Sequence, residues 1–140
     1  MTRPWLDPEL VAQNREPMDA IVREPGLVLD GAWRFQLLER PEAEPGAVWR
    51  EAQVPGCWTR QDTFDLPHYT NVVMPFGGEP PETPAENPTG VHRTTFSVPR
   101  GWSGRRIVLH VGGAESVLHV FCNCLLYTSD AADDRGTGGG

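Results

Sequence analysis

The chain has 140 residues, with 12 Lys+Arg against 19 Asp+Glu and a net charge of −7, which leaves room for one domain or a piece of a larger one. Its 15 Gly and 14 Pro make about a fifth of the residues, roughly twice ordinary usage, which disfavours a helical bundle and suits short strands joined by many turns. The acidic balance, without a basic stripe, argues against a nucleic-acid partner, and no apolar run reaches the ~18–20 residues of a membrane span.

The opening Met1-Thr2-Arg3-Pro4-Trp5 lacks the apolar core of a cleaved signal, so cytoplasmic residence is the expectation. Residues 1–25 read as an extended arm with one helical turn. Asp7 is placed to cap that turn, Pro8 fits its first position, and Pro17 and Pro25 stop anything longer. Leu27-Val28-Leu29 and Trp33-Arg34-Phe35-Gln36-Leu37 then read as strands separated by Asp30-Gly31, a hairpin-type pair. In the second, Trp33, Phe35 and Leu37 alternate with Arg34 and Gln36, so one face is expected inside and the other wet.

Residues 39–47 look like a solvated loop, and Val54-Pro55-Gly56-Cys57-Trp58 ends an extended piece in a turn. Pro75, Pro80, Pro81, Pro84 and Pro88 make the following stretch a stiff loop that is neither helix nor central strand. Three more strands are expected: residues 91–98, with Phe96 and Val98 on one face; residues 105–111, with Ile107, Leu109 and Val111 on one face; and residues 116–121, apolar on both faces and therefore deeply buried. With almost no helix signal, the fold expected is an all-β antiparallel sandwich. From Cys124 onward the alternation is lost and the chain ends in glycine. The expected domain is therefore residues 26–123, incomplete, with residues 124–140 a tail foreign to it.

All 12 basic residues are Arg, which biased codon usage explains without any chemical need. Cys57, Cys122 and Cys124 are odd in number and lack C-x-x-C spacing, so neither a disulfide framework nor a zinc site is expected. No nucleophile elbow and no phosphate-binding glycine loop appear. His68, His92, His110 and His119 do not repeat at ligand spacing, and the last two read as structural histidines within strands. Glu79, Glu82 and Glu86 could be paired carboxylates for glycoside chemistry, but in a Pro-rich loop they read first as solvated charge. His68-Tyr69-Thr70-Asn71, leading into the stiff loop and on to Asn87, offers what a neutral polyol needs. An amide donates and accepts toward hydroxyls, and aromatic faces cover the C–H side of a sugar ring. Asn71 and Asn87 as mere turn residues remain the alternative.

Gly31-Ala32-Trp33-Arg34-Phe35, Val54-Pro55-Gly56-Cys57-Trp58 and Tyr69-Thr70-Asn71-Val72, in that order, resemble the N-terminal sugar-binding domain of glycoside hydrolase family 2. Glu86-Asn87-Pro88-Thr89-Gly90 followed by residues 91–96 is similar to the lac-type β-galactosidases of that family, and the likeness covers about residues 5–123. It implies a galactose-binding-like jelly roll, here incomplete and with an extended N-terminal arm, ahead of an immunoglobulin-like domain and a catalytic barrel. It further implies that Asn71 contacts the galactosyl unit of a β-galactoside substrate. Both catalytic glutamates, the magnesium ligands and most sodium ligands would lie outside this piece, leaving it with no catalytic residue, metal site or cofactor of its own. The full-length form would be a homo-oligomer, and the fragment alone inactive. The family pattern continues Cys-Asn-Gly, where this chain has Cys122-Asn123-Cys124. Two alternatives stay open: a stand-alone carbohydrate-binding module, and a β-glucuronidase or β-mannosidase of the same family.

Overall fold

The computed structural model describes residues 12–14, 26–68, 84–115 and 117–130. The chain divides into two compact units, Gly26–Val98 and the pair Met1–Pro25 with Pro99–Gly140. Among the described residues the regular elements are strands and two short 3₁₀ turns, Trp58–Arg60 and Arg100–Trp102, so the expected all-β class holds.

In the Gly26–Val98 unit, β2 (Gly31–Leu38) runs between β3 (Arg50–Val54) and β4 (Thr89–Arg93), antiparallel to both. The register pairs Phe35 with Arg50 and His92, and Arg34 with Glu51 and Arg93. Because strand side chains alternate, one face collects Trp33, Phe35, Leu37, Arg50, Ala52, Gly90 and His92. Phe35 is fully buried at 0% exposure and Ala52 nearly so at 3%, whereas Trp33 is half-buried and gives its indole N–H to the Leu29 carbonyl at 2.7 Å. The other face carries Trp49, with the Arg34 and Arg93 guanidinium groups 5.0 and 4.7 Å from its ring centre. The loop after β2 is tied down by Gln36, whose amide donates to the Val48 carbonyl and accepts from the Gly46 N–H.

In the other unit, β5 (Val117–Cys122) and β6 (Leu125–Asp130) form a hairpin, with β1 (Ala12–Gln13) on the far side of β6. Cys122 pairs with Leu125, leaving a two-residue loop of Asn123 and Cys124 at φ 47° and 71°. Both residues are left-handed, which matches the right-handed twist of the flanking strands. The Asn14 amide donates to the Leu126 carbonyl at 2.9 Å.

Several expectations are corrected. Leu27-Val28-Leu29 is not a strand: no described segment pairs with it, and Gly31, at φ 130°, opens β2 without a hairpin. The strand expected over 91–98 ends at Arg93, and Phe96 and Val98 are exposed. Residues 105–111 form no strand, and Ile107, Leu109 and Val111 are exposed, as is His110. The cause is common to all three: alternation makes a segment competent for a sheet, but a strand exists only where another backbone completes its ladder. β5 is not buried on both faces, since Val117 and Phe121 are 58% and 54% exposed. Beyond Asn123 the chain does return, as β6.

Candidate functional site: the Trp58–Asp65 junction

The turn after β3 is built by one amide. The Gln61 side chain accepts the Gln53 N–H at 2.8 Å and donates to the Gln53 carbonyl at 3.2 Å and the Cys57 carbonyl at 3.4 Å, so it stands in for a strand neighbour. Gly56 is required beneath it, because a Cβ there would lie 2.6 Å from both the Gln53 oxygen and the Gln61 nitrogen. Arg50 braces the same turn: one guanidinium nitrogen donates to the Gln61 and Asp62 carbonyls at 2.9 and 2.8 Å, and the group sits 4.9 Å above the Phe35 ring.

This turn delivers Trp58 onto the buried face of the sheet. Its ring centre lies 6.4 Å from those of Phe35 and His92, and Phe35 and His92 are 4.7 Å apart. Gly90 lets the indole settle, since a Cβ at that position would meet Trp58 Cε3 at 2.6 Å. The glycine of Asn87-Pro88-Thr89-Gly90 and the tryptophan of Val54-Pro55-Gly56-Cys57-Trp58 are thus two halves of one contact.

At its outer end the Trp58 indole N–H donates to Asp65 Oδ2 at 2.6 Å, and Asp65 Oδ1 lies 3.3 Å from His68 Nε2. Asp65 is only 8% exposed. Burying a carboxylate is costly unless its oxygens find donors, and here both oxygens have one. The Thr63 hydroxyl lies 3.1 Å from the Trp58 carbonyl and 2.9 Å from the Asp65 carbonyl, closing the turn between them. This carboxylate is committed to an indole and an imidazole, so what it can do chemically is hold.

Burial lowers the His92 pKa below the ordinary 6.5, partly offset by a backbone hydrogen bond at Gly90, and burial lowers that of His119 as well. The folded state therefore binds fewer protons than the unfolded chain just below pH 6.5. Stability from these two groups is complete above about 6.5 and falls as the pH drops from there toward the lowered folded values. Denaturant midpoints measured between pH 8 and pH 5 are expected to decline on the acid side, and His92→Gln is expected to flatten part of that decline. A slope unchanged in His92→Gln would show that His92 is not held neutral.

Of the sequence-derived candidates, Asn71 lies outside the described residues, as do Tyr69, Glu79 and Glu82. Glu86 and Asn87 are exposed. Asn87 gives its backbone N–H to the Glu39 carbonyl at 3.2 Å and accepts the Thr89 hydroxyl at 3.0 Å, the behaviour of a turn residue. Among the described residues no three His, Cys, Asp or Glu side chains stand together as metal donors. No helix among them is long and apolar enough to cross a membrane. The Asp65 clamp was missed from sequence. The only available signal was an acidic residue set between Phe64 and Leu66, three positions before His68.

The chain is 41% identical to a beta-galactosidase of Psychromonas ingrahamii over 105 residues, 69% of this chain and 10% of that protein. Over 112 residues it is 39% identical to a beta-galactosidase of Aeromonas hydrophila, again 69% of this chain and 11% of the relative. A third, from Enterobacter cloacae, is 34% identical over 144 residues, covering 86% of this chain and 14% of the relative. The chain thus spans about a tenth of the length of these curated relatives. No solved structure matches it. The sugar binding domain of the glycosyl hydrolases family 2 matches residues 27–135, most of the chain, and the chain belongs to that family.

Proposed function

We propose that this chain is part of a β-galactosidase that hydrolyses terminal non-reducing β-D-galactose from β-galactosides, and that it supplies scaffold and one substrate contact rather than the acids that break the bond. The observation carrying this reading is the sugar-binding family match over residues 27–135 together with relatives named beta-galactosidase. Glycoside hydrolysis of the common type needs two carboxyl groups flanking the scissile bond. Among the described residues the buried Asp65 is already engaged by Trp58 and His68, and Glu86 is out in solvent. Catalytic acids, magnesium and sodium would then come from parts of the enzyme outside these residues, and the working form is a cytoplasmic homo-oligomer.

Asn71 is the substrate contact in this reading, because its amide can both donate to and accept from galactose hydroxyls. The full-length enzyme is expected to turn over a chromogenic β-galactoside, and the purified 140-residue chain is not. Asn71→Ala in the full-length enzyme should lower kcat/KM by the worth of about one substrate hydrogen bond, roughly 1–3 kcal/mol. Turnover by the 140-residue chain alone would overturn the placement of the acids, and an unchanged kcat/KM would leave Asn71 a turn residue.

We place the domain piece at residues 26–123, after an arm at 1–25, with 124–140 foreign to it, although the family match itself runs on to residue 135. Cys124 sits at φ 71°, a conformation that costs a side-chain-bearing residue roughly 1–2 kcal/mol and that the glycine of Cys-Asn-Gly would adopt freely. The β5–β6 ladder is made by backbone groups, which any sequence can supply. Sequencing the gene across codon 124 tests this: a glycine codon followed by a longer frame supports it, and the same seventeen residues read again would refute it.

A further inference from the structure

We propose that the face of the β3-β2-β4 sheet opposite Phe35 is an oxyanion-binding site, in which Arg34 and Arg93 together take one carboxylate or sulfate group. Side chains alternate along a strand, so this face carries Glu51, Arg34 and Arg93 in one row, Arg34 being paired with Glu51 on β3 and with Arg93 on β4. Directly opposed side chains start about 4.5–5.5 Å apart, and like charges placed so repel each other. The fold does not relieve that repulsion with a carboxylate of its own. Among the described residues neither guanidinium makes an ion pair or a hydrogen bond to an oxygen, and Glu51, although opposite Arg34, is not within ion-pairing distance of it. Both groups instead lie over one indole, that of half-buried Trp49, at 5.0 and 4.7 Å from its ring centre. A ring contact fixes where a guanidinium sits without using its N–H donors, which match the oxygens of a carboxylate or a tetrahedral oxyanion in pairs. Arg34 and Arg93 are exposed, so those donors are open to a negative group from outside the chain. The net charge of −7 does not cancel the site, because at physiological salt a charge is felt over only about 8 Å. The oxyanion comes either as a free ion or as the acidic substituent of a saccharide, and the sugar binding family of the chain gives the second source its place in the test.

The test titrates the 140-residue chain, at constant ionic strength held with chloride, with sodium sulfate, D-galacturonate and neutral D-galactose, following the indole N–H resonance of Trp49. Expected is a saturable shift with both anions and none with galactose. Galacturonate binding more tightly than sulfate assigns the site to a sugar-borne oxyanion, and equal affinities assign it to the free ion. Arg34→Gln and Arg93→Gln should each weaken anion binding about fivefold, the upper range for one exposed ion pair, and the double variant should abolish it. Glu51→Gln removes the carboxylate that competes on the same row, so it should tighten binding, by about twofold. Absence of a saturable shift with either anion would overturn the proposal. So would an affinity unchanged in the Arg34→Gln/Arg93→Gln double variant, or a galactose shift as large as that of galacturonate. If the arginine variants do not accumulate as folded chain, Glu51→Gln decides alone: tighter binding supports the site, and binding no tighter than in the wild type refutes it. None of these readouts depends on galactosidase turnover, so the site stands or falls apart from the reading of the whole enzyme.

Discussion

Phe35→Ala is expected to cost about 3–5 kcal/mol of folding stability, the range for emptying a fully buried aromatic site. Phe35 is the largest fully buried side chain among the described residues, at 0% exposure, and its ring is touched from four directions. His92 lies 4.7 Å away across β4, the Arg50 guanidinium 4.9 Å away across β3, Trp58 packs at 6.4 Å, and Gly90 leaves its edge uncovered by any Cβ. Removing the ring strands a guanidinium whose remaining partners are the Gln61 and Asp62 carbonyls, and withdraws the support of the Trp58 indole. Denaturant unfolding followed by tryptophan emission gives the number. Phe35→Leu, which refills most of the volume, should cost under about 1.5 kcal/mol. A loss of less than about 1 kcal/mol in Phe35→Ala would show that the sheet's packed face lies elsewhere.

Gly90→Ala should be strongly damaging for the addition of a single methyl group. The added carbon would meet Trp58 Cε3 at 2.6 Å, Trp58 Cζ3 at 2.8 Å and Phe35 Cε2 at 3.1 Å. Neither ring is the loose end of a flexible side chain. Phe35 is enclosed, so the indole must move, and moving it stretches the 2.6 Å bond to Asp65. Overpacking of this kind costs about 1–3 kcal/mol, and loosening a hydrogen bond to a charged acceptor adds about 1.5–3 kcal/mol. The discriminating measurement is a double-mutant cycle. Trp58→Leu removes the clashing ring, so Gly90→Ala should be far milder in that background than in the wild type. Equal costs in both backgrounds would mean that Trp58 does not lie over Gly90.

What could be read in the sequence follows from which signals are local. The alternation of Trp33, Phe35 and Leu37 located β2, and its inward face, correctly, because strand period is a property of consecutive residues. It did not say which of the three is innermost. Phe35 is enclosed because β3, β4 and Trp58 all converge on it, whereas Trp33 lies near the end of the ladder and gives its indole N–H to the Leu29 carbonyl. Residues 105–111 carry an equally good pattern and form no strand, since pairing depends on a second segment that the pattern does not contain. The return of the chain as β6 was missed for the opposite reason: a two-residue left-handed turn at Asn123 and Cys124 is enough to start a ladder that asks little of the side chains.

The arginine-only basic set was read as codon usage, yet Arg34, Arg50 and Arg93 each lie over an aromatic ring, a use suited to a flat guanidinium and poorly met by an ammonium. As for the candidate site, the motifs Val54-Pro55-Gly56-Cys57-Trp58 and Asn87-Pro88-Thr89-Gly90 stood out from the residues, but their mutual contact did not. Only the register of β2 against β4 brings Gly90 beneath an indole 32 positions earlier in the chain.

The seating of Trp58 also makes the junction visible to spectroscopy. An indole half removed from water, with its N–H on a carboxylate, emits to the blue of a free one, and a protonated imidazole is an efficient collisional quencher of that emission. With the His92 ring centred 6.4 Å away, acidification should dim Trp58 before the sheet comes apart. A chain whose other four tryptophans are replaced by phenylalanine would therefore report the charge on the half-buried His92 imidazole as light.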